Sequence, residues 1–343
     1  MDHDRQLGPV LSFRDLDVGY QSGKRKKVVA AGLQGTLKRG VLTSLIGSNG
    51  TGKSTLLRTL AGFQPMLSGE VYYHEEPLRG ISSQRLSRCV SVVLTDRVEV
   101  PNATVYEIAS LGRSPYHGRW NRLDHQDHQI IDEALIQCGI AHKREDLLSS
   151  LSDGERQKVF IAKALIQQTD LIILDEPAAF LDFTARIEVM KLLRDIAISR
   201  NISILLSSHD LDLALQLSDQ VWLFYPEGPL VEGSPEDLLW RGNFNEIFQS
   251  DHLKYDKLRG KYEVHYETKE ILDVVVPKEI CALLISAFKR ERVALREVES
   301  IDVEGVLWEQ DRFSVVIHGK EIFECSSIAT LVDYYKSHYS NRK

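Results

Sequence analysis

GSNGTGKST, Gly47 to Thr55, decides how this chain is read. It fits the pattern G-x-x-x-x-G-K-[ST] through Gly47, Gly52, Lys53 and Ser54. Glycines let the backbone turn tightly, so that successive N–H groups converge on an anion. The apolar run Val41 to Ile46 enters the loop as a buried strand, and Ser54 to Ala61 leaves it as a helix that Gly62 can stop. A phosphate held there gains from the helix N-terminus. The spacing predicts a nucleotide phosphate site made of Gly47, Ser48, Asn49, Gly50, Thr51, Gly52, Lys53, Ser54 and Thr55. Lys53 is expected to reach the β- and γ-phosphates of ATP, and Ser54 to bind Mg²⁺.

Working outward, LIILDEP, Leu171 to Pro177, is a second buried strand with two acids at its C-terminal end. Ligands bind at that edge of an open α/β sheet. Asp175 is placed to hold Mg²⁺ through its water shell, and Glu176 to polarise an attacking water. Ile202 to Leu206 is a third apolar run, and Val90 to Leu94 a fourth. Strands alternating with helices predict an α/β core with a largely parallel sheet. Leu11 to Leu37 reads as short strands broken by Gly and a basic turn, KRKK at Lys24 to Lys27, which is expected to be a solvated hairpin tip. Residues 102–168 read as mostly helical.

The pattern changes after Asn243. KYEVHYE, Lys261 to Glu267, alternates as a half-buried strand does. Leu272 to Val276, Ala294 to Val298 and Phe313 to Ile317 also read as strands, and Glu279 to Lys289 and Ser326 to Lys336 as helices. A small α+β accessory domain is expected over 255–343, after a cassette over 8–250 whose helical subdomain spans about 98–168.

Composition narrows the class. The chain has 343 residues, 43% of them apolar, which is enough for a sizeable core and suggests two domains or one large domain with an appendage. A formal charge of -7 argues against nucleic acid as a partner. Cys89, Cys138, Cys281 and Cys325 are scattered, with no metal or redox spacing. The N-terminus has no apolar h-region, and no apolar run reaches the roughly 18 to 20 residues that a bilayer needs. The chain itself is therefore expected not to span a membrane.

With these motifs on the page, the first 240 or so residues resemble the ABC ATPases. LSDGERQ, Leu151 to Gln157, resembles the family signature LSGGQ. The resemblance implies that Ser152 and Gly154 cap the γ-phosphate bound by a second copy of the chain, in a head-to-tail dimer that sandwiches ATP. The same residues suit a simple helix start, with Ser152 as N-cap and Glu155 completing a capping box. AAFLD, Ala178 to Asp182, resembles the loop that signals between the two ATP sites. SSHDL, Ser207 to Leu211, resembles the switch segment, which implies that His209 senses the γ-phosphate. Tyr20 lies where the family stacks an aromatic on adenine, a contact worth about 1–3 kcal/mol per base.

Two positions depart from the family. Thr95 and Asp96 replace a usual Gln, and Asp96 is a hard oxygen ligand that can join the metal shell. Asp153 replaces a usual Gly, and its carboxylate would repel phosphate unless it points away.

The family resemblance implies an ABC-type P-loop nucleotide-binding fold that hydrolyses ATP. One cassette, no membrane span and no room for a coiled coil between Thr55 and Leu151 fit a subunit of a multi-subunit importer. Its partners would be a polytopic membrane permease and, indirectly, a substrate-binding protein. That places it peripherally on the cytoplasmic face of the inner membrane. ASLGRSPYHGRW, Ala109 to Trp120, looks like a segment of the ATPases for iron–siderophore, haem and vitamin B12 uptake, and Arg113, Tyr116 and Trp120 are expected to face the permease. The alternative is a soluble ABC protein, an assembly scaffold outside transport.

Overall fold

The computed structural model describes residues 8–23, 25–94, 100, 102–117, 122–226, 228–244, 253–256, 261–264, 266–268 and 270–339. Thr95, Asp96, Trp120 and Lys24 lie outside the described residues. The chain divides into two compact units, Met1–Gln249 and Ser250–Lys343.

The first unit opens with β1 (Leu11–Ser22) and β2 (Arg25–Leu37), which pair antiparallel from Leu11↔Leu37 to Ser22↔Arg25. These are two long strands, not the short broken ones expected. Gly19, inside β1, marks a close approach of the two strands rather than a break. A Cβ at Gly19 would sit 2.1 Å from the Lys27 carbonyl oxygen. β3 (Leu42–Ile46) runs into the phosphate loop and then α1 (Lys53–Leu60). β4 (Ser68–Tyr73) and β5 (Glu76–Pro77) follow, with β4 pairing back on β1. The result is an antiparallel sheet of order β2–β1–β4–β5, which the expectation of one largely parallel sheet did not contain.

A short α2 (Ser83–Leu86) leads to β6 (Val90–Val93). Then come α3 (Val105–Ser110), α4 (His125–Gln137) and α5 (Asp153–Ile166), followed by β7 (Leu171–Leu174), α6 (Phe183–Arg200) and β8 (Ser203–Ser208). α7 (Leu211–Leu217), β9 (Gln220–Phe224), β10 (Leu230–Gly233) and α8 (Pro235–Trp240) complete the unit. The second sheet has the order β10–β9–β3–β8–β7–β6, parallel except for the edge pair β9–β10.

The continuous apolar strands are explained by burial on both faces. Leu171 and Ile173 join one core with Leu56, Leu60, Phe13 and Trp222, while Ile172 and Leu174 join another with Val105, Ile131, Val159 and Met190. α1 and the antiparallel sheet cover one face, and α3 to α6 contribute to the core on the other. The parallel strands therefore end together at one edge, where the loops carrying the polar motifs emerge. No helix among the described residues is long and apolar enough to cross a membrane.

The second unit has a hairpin of β11 (Leu253–Asp256) and β12 (Lys261–Val264) and a five-stranded sheet. That sheet is built from β13 (Glu270–Val275), β14 (Val293–Glu297), β15 (Glu304–Glu309), β16 (Arg312–Ile317) and β17 (Lys320–Cys325), in the order β14–β13–β15–β16–β17. α9 (Lys278–Arg290) and α10 (Ile328–Tyr339) join its core through Leu284, Phe288, Leu331 and Tyr335, packed with Leu272, Val274, Phe313 and Val315. The Phe288 and Tyr335 rings meet edge to face at 5.4 Å. β15 and β17 escaped the sequence reading, because Glu-Gly opens one and charged residues interrupt the other, a common trait of edge strands.

One expectation is corrected. Arg113 does not face outward toward a partner. Its side chain is only 9% exposed, and its Nε donates to Asp127 Oδ1 at 2.7 Å, where Asp127 is 3% exposed. Its Nη1 donates to Gln168 Oε1 at 2.9 Å and to the Ile166 carbonyl at 3.3 Å. The guanidinium also lies 4.0 Å from the centre of the Tyr116 ring, and the Tyr116 hydroxyl donates to the Gln167 carbonyl. Arg113 thus satisfies the C-terminal end of α5 and pairs with the first turn of α4, which a long cation can do only from inside.

Burial pushes the Asp127 carboxyl up. The Asp124 backbone N–H, Arg113 and His117 outweigh it and hold the carboxyl below the usual carboxylate range. This depressed value makes a stability contribution that is present above the ordinary carboxylate range and is lost as pH falls through the lowered value.

Arg113→Ala removes the guanidinium partner of the buried Asp127, leaving it the Asp124 N–H and His117, and is expected to lower unfolding stability by about 2–3 kcal/mol in urea titration. Arg113→Lys should restore only part, lacking the planar fork. A loss below about 1 kcal/mol for Arg113→Ala, as surface substitutions show, would return Arg113 to the surface role.

Candidate active site

The phosphate loop leaves β3 at Ile46 and re-enters regular structure at Lys53. Gly52 is the N-cap of α1 with φ +101, a left-handed conformation, and a Cβ there would lie 2.4 Å from Val29 Cγ1 on β2. Glycine is required on both counts. Thr51 braces the turn by donating its hydroxyl to the Ser48 carbonyl at 2.9 Å. Asn49 and Gly50 stand exposed at the tip.

Lys53 is 6% exposed and folds back over the loop, donating to the Gly47 carbonyl at 2.8 Å and the Ser48 carbonyl at 3.2 Å. Burial pulls its pKa below the ordinary lysine value, and the nearby Glu176 and Asp175 oppose that shift. A desolvated ammonium beside a glycine-rich turn is matched to a polyanion.

Three strand ends meet beside it. Ser54 Oγ donates to Asp175 Oδ1 at 3.1 Å, and Ser207 Oγ at the end of β8 donates to the same oxygen at 2.7 Å. The Ser207 hydroxyl also accepts the Glu176 N–H at 2.9 Å. His209 Nε2 hydrogen-bonds Glu176 Oε1. Glu176 itself has φ +50, left-handed for a residue with a side chain. Such a backbone costs about 1–3 kcal/mol and persists where its surroundings impose it. The Ser54 hydroxyl and Asp175 carboxylate are hard oxygen donors converging next to the phosphate loop, a fit for Mg²⁺.

Tyr20, on β1, reaches α1. Its hydroxyl hydrogen-bonds Thr55 Oγ1 at 3.1 Å, and the residue is 53% exposed, which leaves ring surface open for stacking. The structure therefore brings Tyr20, Lys53, Ser54, Thr55, Asp175, Glu176 and His209 into one neighbourhood.

Ser152 and Gly154 sit at the start of α5. Ser152 is its N-cap, accepting the Glu155 N–H at 3.3 Å while Glu155 Oε2 accepts the Ser152 N–H at 2.9 Å. The capping box is complete, and these bonds to Ser152 hold the Glu155 carboxyl below its usual range. Asp153 turns to Arg156, with which it pairs at 3.2 Å, and both line a cleft with Gln157, Asp175 and Glu176. Ser207 was not singled out by sequence reasoning. Its only signal was a hydroxyl two residues before the histidine, near the end of β8.

Comparison with known proteins gives a consistent picture. The sequence profile described as "ABC transporter" matches residues 30–179. An uncharacterised ABC transporter ATP-binding protein of Methanocaldococcus jannaschii is 35% identical over 255 residues, covering 74% of this chain and 87% of that one. The iron(3+)-hydroxamate import ATP-binding protein FhuC of Bacillus subtilis is 32% identical over 242 residues, covering 70% and 88%. A bacterial ABC transporter cassette solved as a dimer superposes with a TM-score of 0.57 at 21% identity, covering 66% of this chain and 98% of that one.

Lys53→Ala should leave the fold intact by circular dichroism and weaken ATP binding at least about tenfold, because a charge-assisted bond to phosphate is lost. Unchanged affinity by calorimetry would reject the phosphate-loop assignment.

Proposed function

This chain belongs to the ATP-binding proteins of ABC transporters, and we propose that it powers the import of an iron complex. It is an ATPase of that family, the subunit that binds and hydrolyses ATP. The observation that carries the catalytic reading is the assembly of Lys53, Ser54, Asp175, Glu176 and His209 at one sheet edge.

The loop amides of Gly47 to Thr55 and the Lys53 ammonium cradle the β- and γ-phosphates of ATP. Tyr20 stacks on the adenine. Ser54 and Asp175 hold Mg²⁺, which, when bound, neutralises charge on the phosphate oxygens. Glu176 accepts the proton of the attacking water, and His209 holds the Glu176 carboxylate in place against the γ-phosphate. Ser152, Gly154 and the N-terminus of α5 close the site of a second copy in a head-to-tail dimer. Asp153 is compatible with this, because its carboxylate is paired with Arg156.

Relatives named for import support a membrane permease as partner and attachment to the membrane through it. The cargo assignment to an iron siderophore or haem, with cobalamin a near relative, is supported by the relative named for iron(3+)-hydroxamate import and by the Ala109 to Trp120 segment. A substrate-binding protein would act on the far side of the permease, out of reach of this chain. Attachment on the cytoplasmic side follows from the ATP supply.

Glu176→Gln tests the mechanism. It should retain ATP, lower turnover at least about a hundredfold, and accumulate as an ATP-bound dimer in size-exclusion chromatography. Turnover equal to the parent would remove Glu176 from the role of base. Affinity purification from membranes should retrieve a polytopic protein with the parent chain. A chain that never recovers one would favour the scaffold reading.

A further inference from the structure

The structure assigns Ser207 as a positioning residue that holds the metal-facing and the water-facing carboxylates in one geometry. The inference rests on the catalytic reading above and concerns a hydroxyl to which that reading gives no role.

β7 and β8 pair in register from Leu171↔Ser203 to Leu174↔Leu206, and the ladder stops there. The next N–H on the β7 side, that of Asp175, turns to the Val93 carbonyl of β6 at 2.9 Å. Glu176 then enters its left-handed conformation, and its N–H no longer has a strand carbonyl to meet. Ser207 fills that gap with its side chain. The residue is 0% exposed, accepts the Glu176 N–H, and donates its single proton to Asp175 Oδ1. A hydroxyl is the smallest group that accepts and donates at once, so Ala cannot serve here and a carboxylate would repel Asp175.

Two consequences follow. Asp175 Oδ1 accepts from both Ser54 and Ser207. When Ser54 turns its oxygen to a cation, Ser207 remains to fix the Asp175 rotamer. Glu176 is gripped at both ends from the same strand terminus, its N–H by Ser207 and its carboxylate by His209 two residues on. Removing Ser207 leaves a partly buried N–H without its partner and frees the strained backbone of Glu176, so the general base loses its aim while the phosphate loop is untouched.

The test uses the full chain with Ser207→Ala, Ser207→Thr and, as a control, Glu176→Gln. Two quantities are read: steady-state kcat and KM for ATP, and the Mg²⁺ dependence of fluorescent trinitrophenyl-ATP binding, which needs no turnover. Ser207→Ala should bind nucleotide without Mg²⁺ as the parent does, raise the Mg²⁺ half-saturation, and lower kcat at least about tenfold. Ser207→Thr, which keeps the hydroxyl, should recover kcat to within about threefold of the parent.

The inference is overturned if Ser207→Ala matches the parent in kcat and in Mg²⁺ half-saturation, or if Ala and Thr are equally impaired. Should Ser207→Ala fail to fold, Ser207→Cys takes its place, with the same shape and a weak donor. A folded but impaired Cys variant supports the role, and one equal to the parent rejects it. The control separates the two layers. A Glu176→Gln chain as active as the parent removes the catalytic reading itself. An inactive control beside a normal Ser207→Ala chain removes only the role of Ser207.

Discussion

Asp175 accepts hydrogen bonds from two serines that are far from it in sequence, Ser54 after the phosphate loop and Ser207 at the end of β8. This shared carboxylate oxygen is the constraint from which the rest of the site follows. It exists only because β3, β7 and β8 are parallel neighbours whose C-terminal ends reach the same level. Burial on both faces makes that level rigid. Each strand sends alternate residues into two separate cores, so sliding one strand by a residue would exchange the two sets. Hydrophobic burial thereby sets positions that the polar groups then use.

The polar groups are held under strain. Glu176 has a left-handed backbone, and Lys53 is kept in a desolvated place where its charged form is disfavoured. Both are compensated locally, Glu176 by Ser207 and His209, Lys53 by the loop carbonyls and the two carboxylates. A group that has already surrendered its water is ready to meet a charged ligand without further reorganisation. The contrast with Arg113 is instructive. That cation is as buried as Lys53, but its Asp127, Ile166 and Gln168 partners make a closed internal set with structural consequences only.

Legibility in the sequence followed the range of the interaction. The phosphate loop, the two acids after Leu171–Leu174 and the histidine after β8 were readable, because each is a local motif beside an apolar run. The sheet β2–β1–β4–β5 was not, since pairing such as Leu11↔Tyr73 leaves no mark in either strand alone. The glycines between Leu11 and Leu37 suggested breaks, yet Gly19 lies inside β1 as a close backbone contact. Arg113 was expected to face a partner because it is a long residue in a segment that resembles a permease-facing one, yet its counterion Asp127 lies fourteen residues away on another helix. Ser207 was invisible as a partner of Asp175 and Glu176, which precede it by about thirty residues and meet it only across the β7–β8 pair. Ser152 carried two readings in the sequence, a helix cap, which the structure contains, and a ligand for a second copy's nucleotide, which belongs to the proposed function.

The proposed metal site depends most directly on the convergence of the Ser54 and Asp175 oxygens beside the phosphate loop. Mn²⁺ shares the oxygen preference of Mg²⁺ and reports its coordination by electron paramagnetic resonance. With ATP and the full chain, one Mn²⁺ per nucleotide site should be immobilised, and Asp175→Asn should weaken that binding while ATP alone still binds. Mn²⁺ held equally well by the Asp175→Asn chain in the presence of ATP would contradict the site described here.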